Sequence, residues 1–301
     1  MVDSRRIRDH RHELEGKEPL VTLRDPFRPV RIPIVGAAIL FLALACATSP
    51  TGRNQLLLMS EAEMAEMGAA AFSDMQAQTP QSKSAADEGY VRCVARAITD
   101  VLTPAELRPV AVTSWEVELF EDPTANAFAL PGGKIGVHTG LLQVARSQDQ
   151  LATVLGHEVG HVLARHGNER VSQSSIVQQG LSAVQVMMGT DSAGKEQLLG
   201  ALGIGAQYGV LMPFGRTQES EADEIGLKLM ARAGFDPYQS VKLWKNMASA
   251  SAGQSPPEFM STHPSHDTRI SHLESLIPTA VDLQKEALAS GRRPNCGRPG
   301  R

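Results

Sequence analysis

His157-Glu158-Val159-Gly160-His161 lies inside an apolar run, Leu151 to Leu163, in which Leu151, Val154, Leu155, Val162 and Leu163 recur at helical spacing. On a helix, positions i and i+4 share a face, so the imidazoles of His157 and His161 can reach one metal ion. Glu158, turned by about 100°, stands beside them. Two nitrogen ligands with a carboxylate alongside are the parts of a hydrolytic zinc site. The competing reading is a core helix with two incidental histidines, and the surrounding sequence decides between them.

A tetrahedral catalytic zinc takes three protein ligands and keeps one position for water. Downstream, Glu219-Ser220-Glu221-Ala222-Asp223 is followed by Ile225, Leu227 and Leu229 and is helical in character. Glu219 and Asp223 are again i and i+4. One carboxylate can bind the metal while the other accepts the N–H of a ligand imidazole. On spacing alone, Glu219, Glu221 and Glu224 are rivals for the metal.

Upstream, Ser60 with Glu63 forms a capping-box pattern that starts one helix, and Ser84 starts another over residues 84–102, with the stripe Val91, Val94, Ile98, Val101 and Leu102. The period then changes. Trp115, Val117 and Leu119 alternate with polar residues as in a strand. Asn126-Ala127-Phe128-Ala129-Leu130, Pro131-Gly132-Gly133 and Lys134 to His138 read as a hairpin. A helix follows from Gly140 to about Arg146, and the central helix begins at Ser147, with Gln150 completing a second capping box. From Arg165 to about Pro213 the chain is rich in Gly, Ala and Ser, with apolar clusters at Val184 to Met188 and Leu198 to Ile204. It reads as helical packing or as a cover over the site.

The chain has 301 residues, 42% hydrophobic and 21% charged, enough for one sizeable core or two small ones, and its 4% aromatic content makes that core mainly aliphatic. Residues 1–45 carry eight Lys/Arg and six Asp/Glu, a net of +2; removing this from the total of −4 leaves −6 for residues 46–301. An acidic body argues against nucleic acid as a partner. Residues 1–31 are Arg-rich without apolar periodicity. Ile32 to Ala45 is apolar, shorter than the roughly 20 residues of a membrane span, and fits a signal h-region. Ala43-Leu44-Ala45-Cys46 resembles a bacterial lipobox, which makes Cys46 the expected lipid anchor; an uncleaved anchor at 32–45 is the alternative. Cys93 and Cys296 then remain as an even pair, bridged or free.

Together, His157-Glu158-Val159-Gly160-His161, Glu219-Ser220-Glu221-Ala222-Asp223 and His263-Pro264 with Arg269 resemble the signature set of the HtpX, BepA and CaaX-prenyl-protease type of zinc metallopeptidase. Asn126 to Gly133 resembles that family's substrate-side strand. The likeness covers roughly residues 50 to 278. Gly215-Arg216 departs from the family's frequent Ser-Arg, and no tetratricopeptide array follows residue 278, which points to a single-domain periplasmic lipoprotein member.

The resemblance implies a gluzincin-like, mainly helical α+β domain with a small sheet and an edge strand beside the active-site helix. It implies one Zn2+ per chain held by His157, His161 and Glu219, with Asp223 behind them, Glu158 as general base, and His263 and Arg269 approaching from the C-terminal side, where either could donate to a developing oxyanion. Asn126, Ala127, Phe128 and Ala129 would bind an extended polypeptide. The expected domains are 1–45 (N-terminal region and signal), 46–278 (metallopeptidase) and 279–301 (tail). The expected function is zinc-dependent hydrolysis of unfolded or misfolded envelope proteins by a periplasmic protease lipid-anchored to the outer membrane; the alternative is a metal-retaining holdase for outer-membrane proteins with latent activity. His138, His166, His266 and His272 are read without a metal role.

Overall fold

Short polar side chains start several of the helices, as the sequence leads one to expect. The computed structural model describes residues 46–188, 215–250, 258–263 and 267–297. The expected signal, residues 1–45, and the Gly-rich stretch 189–214 lie outside the described residues, as does His266. Strands β1 (Cys46–Thr48) and β2 (Asn54–Leu56) pair antiparallel, with Cys46 opposite Leu56. Helix α1 (Glu61–Gln78) begins at Ser60, whose hydroxyl accepts the Glu63 N–H while the Glu63 carboxylate accepts the Ser60 N–H at 2.8 Å. Helix α2 (Ala85–Thr99) is capped by Ser84 and buries Val91, Val94 and Ile98. A short helix α3 (Pro104–Leu107) runs into a 3-10 turn.

Strands β3 (Glu116–Phe120), β4 (Ala127–Leu130) and β5 (Lys134–His138) form a sheet of order β3-β5-β4, in which β3 is parallel to β5 and β4 antiparallel to it. The hairpin turn needs its glycines: Gly132 and Gly133 have φ of 83° and 81°. The outer side of β3 is covered where Ser82 N–H bonds to Leu119 O at 2.7 Å. Strand β4 is thus the opposite edge of the sheet.

Helix α4 (Leu141–Val144) leads to the central helix α5 (Gln148–Leu163). Ser147 caps α5 by accepting the Gln150 N–H, but the return bond of the expected box is displaced by one residue, since the Gln150 side-chain oxygen accepts from Arg146 N–H at 2.9 Å. Helix α6 (His166–Met188) follows two residues, Ala164 and Arg165, the second at φ 55°. Helix α7 (Arg216–Arg232) has no side-chain cap at Gly215; instead the Gln218 side chain accepts the Gly215 N–H at 3.1 Å. Helices α8 (Tyr238–Ala250), α9 (Glu258–Thr262) and α10 (Asp267–Ala289) complete the order.

One aliphatic core joins α2, the sheet, α5, α7, α8 and α10 through residues such as Ile98, Ile135, Leu151, Leu155, Leu229, Leu243 and Leu273. Each such side chain contributes about 1.5–3 kcal/mol by leaving water. At its centre α5 and α7 meet backbone to backbone. A Cβ at Gly226 would lie 2.6 Å from His157 N, and one at Gly156 would lie 2.8 Å from Gly226 O. This approach brings the carboxylates of α7 to the histidines of α5.

Residues 279–297, expected from the sequence as a tail, are in contact with the helices of the core. Helix α10 continues through Pro278, burying Ala280 and Ala287, and the chain then returns to α5, where Gln148 bonds to Pro294 O and to Cys296 N–H. Cys296 forms a disulfide with Cys93 of α2, with Cα atoms 5.6 Å apart. A proline costs a helix one N–H and some straightness, but tertiary contacts on both sides of Pro278 override that local preference.

Candidate metal centre

Helix α5 supplies His157, Glu158 and His161, and α7 supplies Glu219 and Asp223. His263, one residue past α9, supplies a third imidazole, and its N–H bonds to Phe259 O at 2.8 Å. His157, His161, Glu219 and His263 are all buried and offer ligand atoms within 4.8 Å of one another. His157 Nε2 stands 3.0 Å from His161 Nε2 and 3.2 Å from His263 Nδ1. The Glu219 oxygens lie 3.4 Å from each of the α5 imidazoles and 2.9 Å from His263 Nδ1.

These separations can be compared with a metal polyhedron. Ligand bonds of about 2.0–2.1 Å in tetrahedral geometry place donor atoms about 3.3 Å apart, so the four groups fit the corners of one such site. Their chemistry, two or three imidazole nitrogens and one carboxylate, is that of a transition-metal site. Burial holds the His161 imidazole well below its usual range, in the neutral form that binds a metal. Burial and Arg269 lower His157, but the Glu219 and Asp223 carboxylates outweigh them and bring it to about 9, a proton that a metal must displace. Burial opposes ionisation of Glu219, yet the three histidines hold its carboxyl far below the ordinary carboxylate range.

Glu158 is placed differently. Its side chain is buried, and burial raises its carboxyl, partly offset by His263 and His157 and by the Ala129 N–H. Its Oε1 accepts no hydrogen bond among the described residues, with His263 Nε2 3.4 Å away. A buried oxygen left without a bond is expensive unless a water or substrate proton meets it there.

Of the expected strand residues, Ala129 directs its amide at Glu158 from the outer edge of β4. Asn126 O bonds back to β5 through His138 N–H at 3.0 Å, and Phe128 packs on Phe72 and Phe120. Ala127 is buried in the core with Ile135 and Val137. Glu221 and Glu224, the rivals to Glu219, point elsewhere: Glu221 to His166 at 3.1 Å, and Glu224 to Lys228 at 2.6 Å.

Arg269 lies behind the ligands. Its side chain is fully buried, bonding Asp223 through Nε (2.6 Å) and Nη2 (2.7 Å) and Glu219 through Nη1 (2.8 Å), with the guanidinium 3.6 Å over Trp244. Asp223 Oδ1 in turn stands 2.9 Å from His157 Nδ1. Three N–H donors of Arg269, for which the sequence had allowed a role as oxyanion donor, are thus committed to the two carboxylates.

Sequence reasoning missed His166, whose Nδ1 lies 2.8 Å from His161 Nδ1, and Phe259, whose ring stacks on His263 at 4.6 Å. A continuous helix would turn position i+5 away from His161; the left-handed residue Arg165 breaks the helix and re-aims His166. No feature of the sequence announced a non-glycine residue there.

Residues 56–277 match peptidase family M48. The chain belongs to this family. Similar proteins include the mitochondrial metalloendopeptidase OMA1 of Schizosaccharomyces pombe, 38% identical over 192 residues, covering 64% of this chain and 53% of that one. The zebrafish (Danio rerio) mitochondrial metalloendopeptidase OMA1 is 34% identical over 265 residues, 82% of this chain and 53% of its own. The beta-barrel assembly-enhancing protease of Escherichia coli is 32% identical over 164 residues, 52% of this chain and 33% of its own. The chain spans about half the length of the OMA1 relatives. Membership of M48 agrees with the expected metallopeptidase and with its mainly helical α+β fold; the likeness to OMA1 was not anticipated by the motifs.

Proposed function

We propose that this chain is a zinc-dependent endopeptidase that cuts extended, unfolded polypeptides in an oxidising bacterial envelope compartment. The observation that carries the reading is the buried, unbonded Glu158 Oε1 beside the donor group of His157, His161 and Glu219. Zinc on those ligands would supply Lewis-acid polarisation of the peptide carbonyl and an acidified water. Glu158 takes the proton of the attacking water and passes it to the leaving nitrogen. Asp223 and Arg269 hold His157 and Glu219 in place. The outer edge of β4, paired with no strand among the described residues, receives the substrate backbone as an added strand, which favours unfolded chains because a folded chain has few free edges.

His263 is the fourth member of the buried donor group, so it would compete with the catalytic water for the metal and keep the resting protein latent. The Cys93–Cys296 disulfide supports an oxidising compartment, and the E. coli relative's name supports the envelope, while the OMA1 names are mitochondrial. Among the described residues no helix is long and apolar enough to cross a membrane. The lipobox-like Ala43 to Cys46 supports lipid attachment at Cys46. The holdase alternative is not favoured, since it has no use for Glu158 at the ligands. The test is casein hydrolysis by metal-loaded protein: cleavage abolished by a chelator and restored by zinc supports the proposal. No cleavage by either the parent or the zinc-loaded His263→Ala variant overturns it.

A further inference from the structure

The metal centre has a second support besides Arg269, built on His166. His161 can offer Nε2 to a metal only if its Nδ1 carries the proton. That Nδ1 faces His166 Nδ1 at 2.8 Å, a nitrogen-to-nitrogen contact that is a hydrogen bond only when His166 Nδ1 is bare. The His166 proton then sits on Nε2, which lies 3.1 Å from Glu221 Oε2. Glu221 is fixed by Thr51 Oγ1 at 2.5 Å and Arg53 Nε at 2.9 Å, and the other end of the Arg53 guanidinium holds Glu169 at 2.6 and 2.7 Å. Gln218, in the first turn of α7, donates to the same Glu169 carboxylate at 2.8 Å. One direction of proton donation satisfies every bond in the chain.

We infer that His166 is the positioning residue of the ligand His161, selecting its metal-binding tautomer, and that the β1–β2 hairpin belongs to the metal centre through Arg53 and Glu221. His157 is oriented by a carboxylate directly, whereas His161 is oriented through a second imidazole. A side chain in this role matters because the group behind a metal-bound histidine fixes both its ring orientation and its tautomer. The inference rests on the metal-centre reading above.

The test uses the whole chain with two readouts, the zinc dissociation constant by chelator competition and the histidine tautomers of the metal-free protein by nitrogen NMR. The parent should show His161 as the Nδ1–H form. His166→Ala should weaken zinc about 10–100-fold. His166→Asn should recover most of that loss, because its amide oxygen sits near the former Nδ1 and can accept the same proton. Equal weakening by Ala and Asn, parental affinity in His166→Ala, or an Nε2–H tautomer at His161 in the parent would each overturn the inference. If His166→Ala does not fold, Glu221→Gln replaces it: weaker zinc binding supports the relay, and unchanged binding refutes it. Failure of the parent to bind zinc would instead overturn the metal-centre reading, which the tautomer, measured without metal, does not depend on.

Discussion

His263 Nδ1 stands 2.9 Å from Glu219 Oε1, so a residue from the C-terminal part of the chain closes the donor group that α5 and α7 begin. If His263 competes with the catalytic water, its removal opens the site. His263→Ala should raise casein hydrolysis on the order of tenfold, equivalent to about 1.4 kcal/mol of competition. An oxyanion donor would behave oppositely, its loss lowering the rate by about 10²–10³. Steady-state hydrolysis rates at equal zinc loading check the sign.

Gly226 tests the helix contact that assembles the ligands. Ala at this position puts a methyl 2.6 Å from His157 N, a backbone atom that cannot move aside alone. The variant should lose about 1–3 kcal/mol of stability and bind zinc more weakly, as read by thermal unfolding and zinc titration. Gly89→Ala in α2, where nothing lies within 4 Å of the new methyl, should instead gain about 0.4–1 kcal/mol.

The disulfide joins residues 203 apart in sequence and fastens the end of the chain to α2. Cys93→Ala with Cys296→Ala should lower stability by about 2–4 kcal/mol, and reductant should lower the parent's unfolding midpoint but not the variant's. Denaturant unfolding with and without reductant measures both.

These contacts also show what the sequence made legible. The H-E-x-x-H face of α5 and the caps at Ser60, Ser84 and Ser147 depend on side chains a few residues apart, so spacing carries them. The choice of Glu219 over Glu221 came from family likeness, because both lie on one helix and only the crossing with α5 separates their directions. The partnership of Arg53 with Glu169 and Glu221 spans more than a hundred residues and leaves no local pattern. The passage of α10 through Pro278 was hidden for a related reason: the boundary at 278 came from the extent of the family likeness, whereas packing against the core carries the helix past it.

Arg269 anchors two buried carboxylates at once. Arg269→Ala leaves Asp223 and Glu219 without their cation and should cost about 3–5 kcal/mol of stability, with hydrolysis falling together with zinc content. Arg269→Lys should recover only part of this, since an ammonium cannot make the forked contacts to both residues. Zinc content and unfolding midpoint, measured on the same samples, read the effect.

Glu158→Gln bears most directly on the central claim, because it removes the proton acceptor while leaving His157, His161 and Glu219 in place. The decisive measurement is casein turnover by parent and variant, each with its zinc content determined by mass spectrometry after dialysis. The account predicts equal zinc and a loss of turnover of at least about 10²-fold, the lower range for a general base. Equal turnover at equal zinc would contradict it.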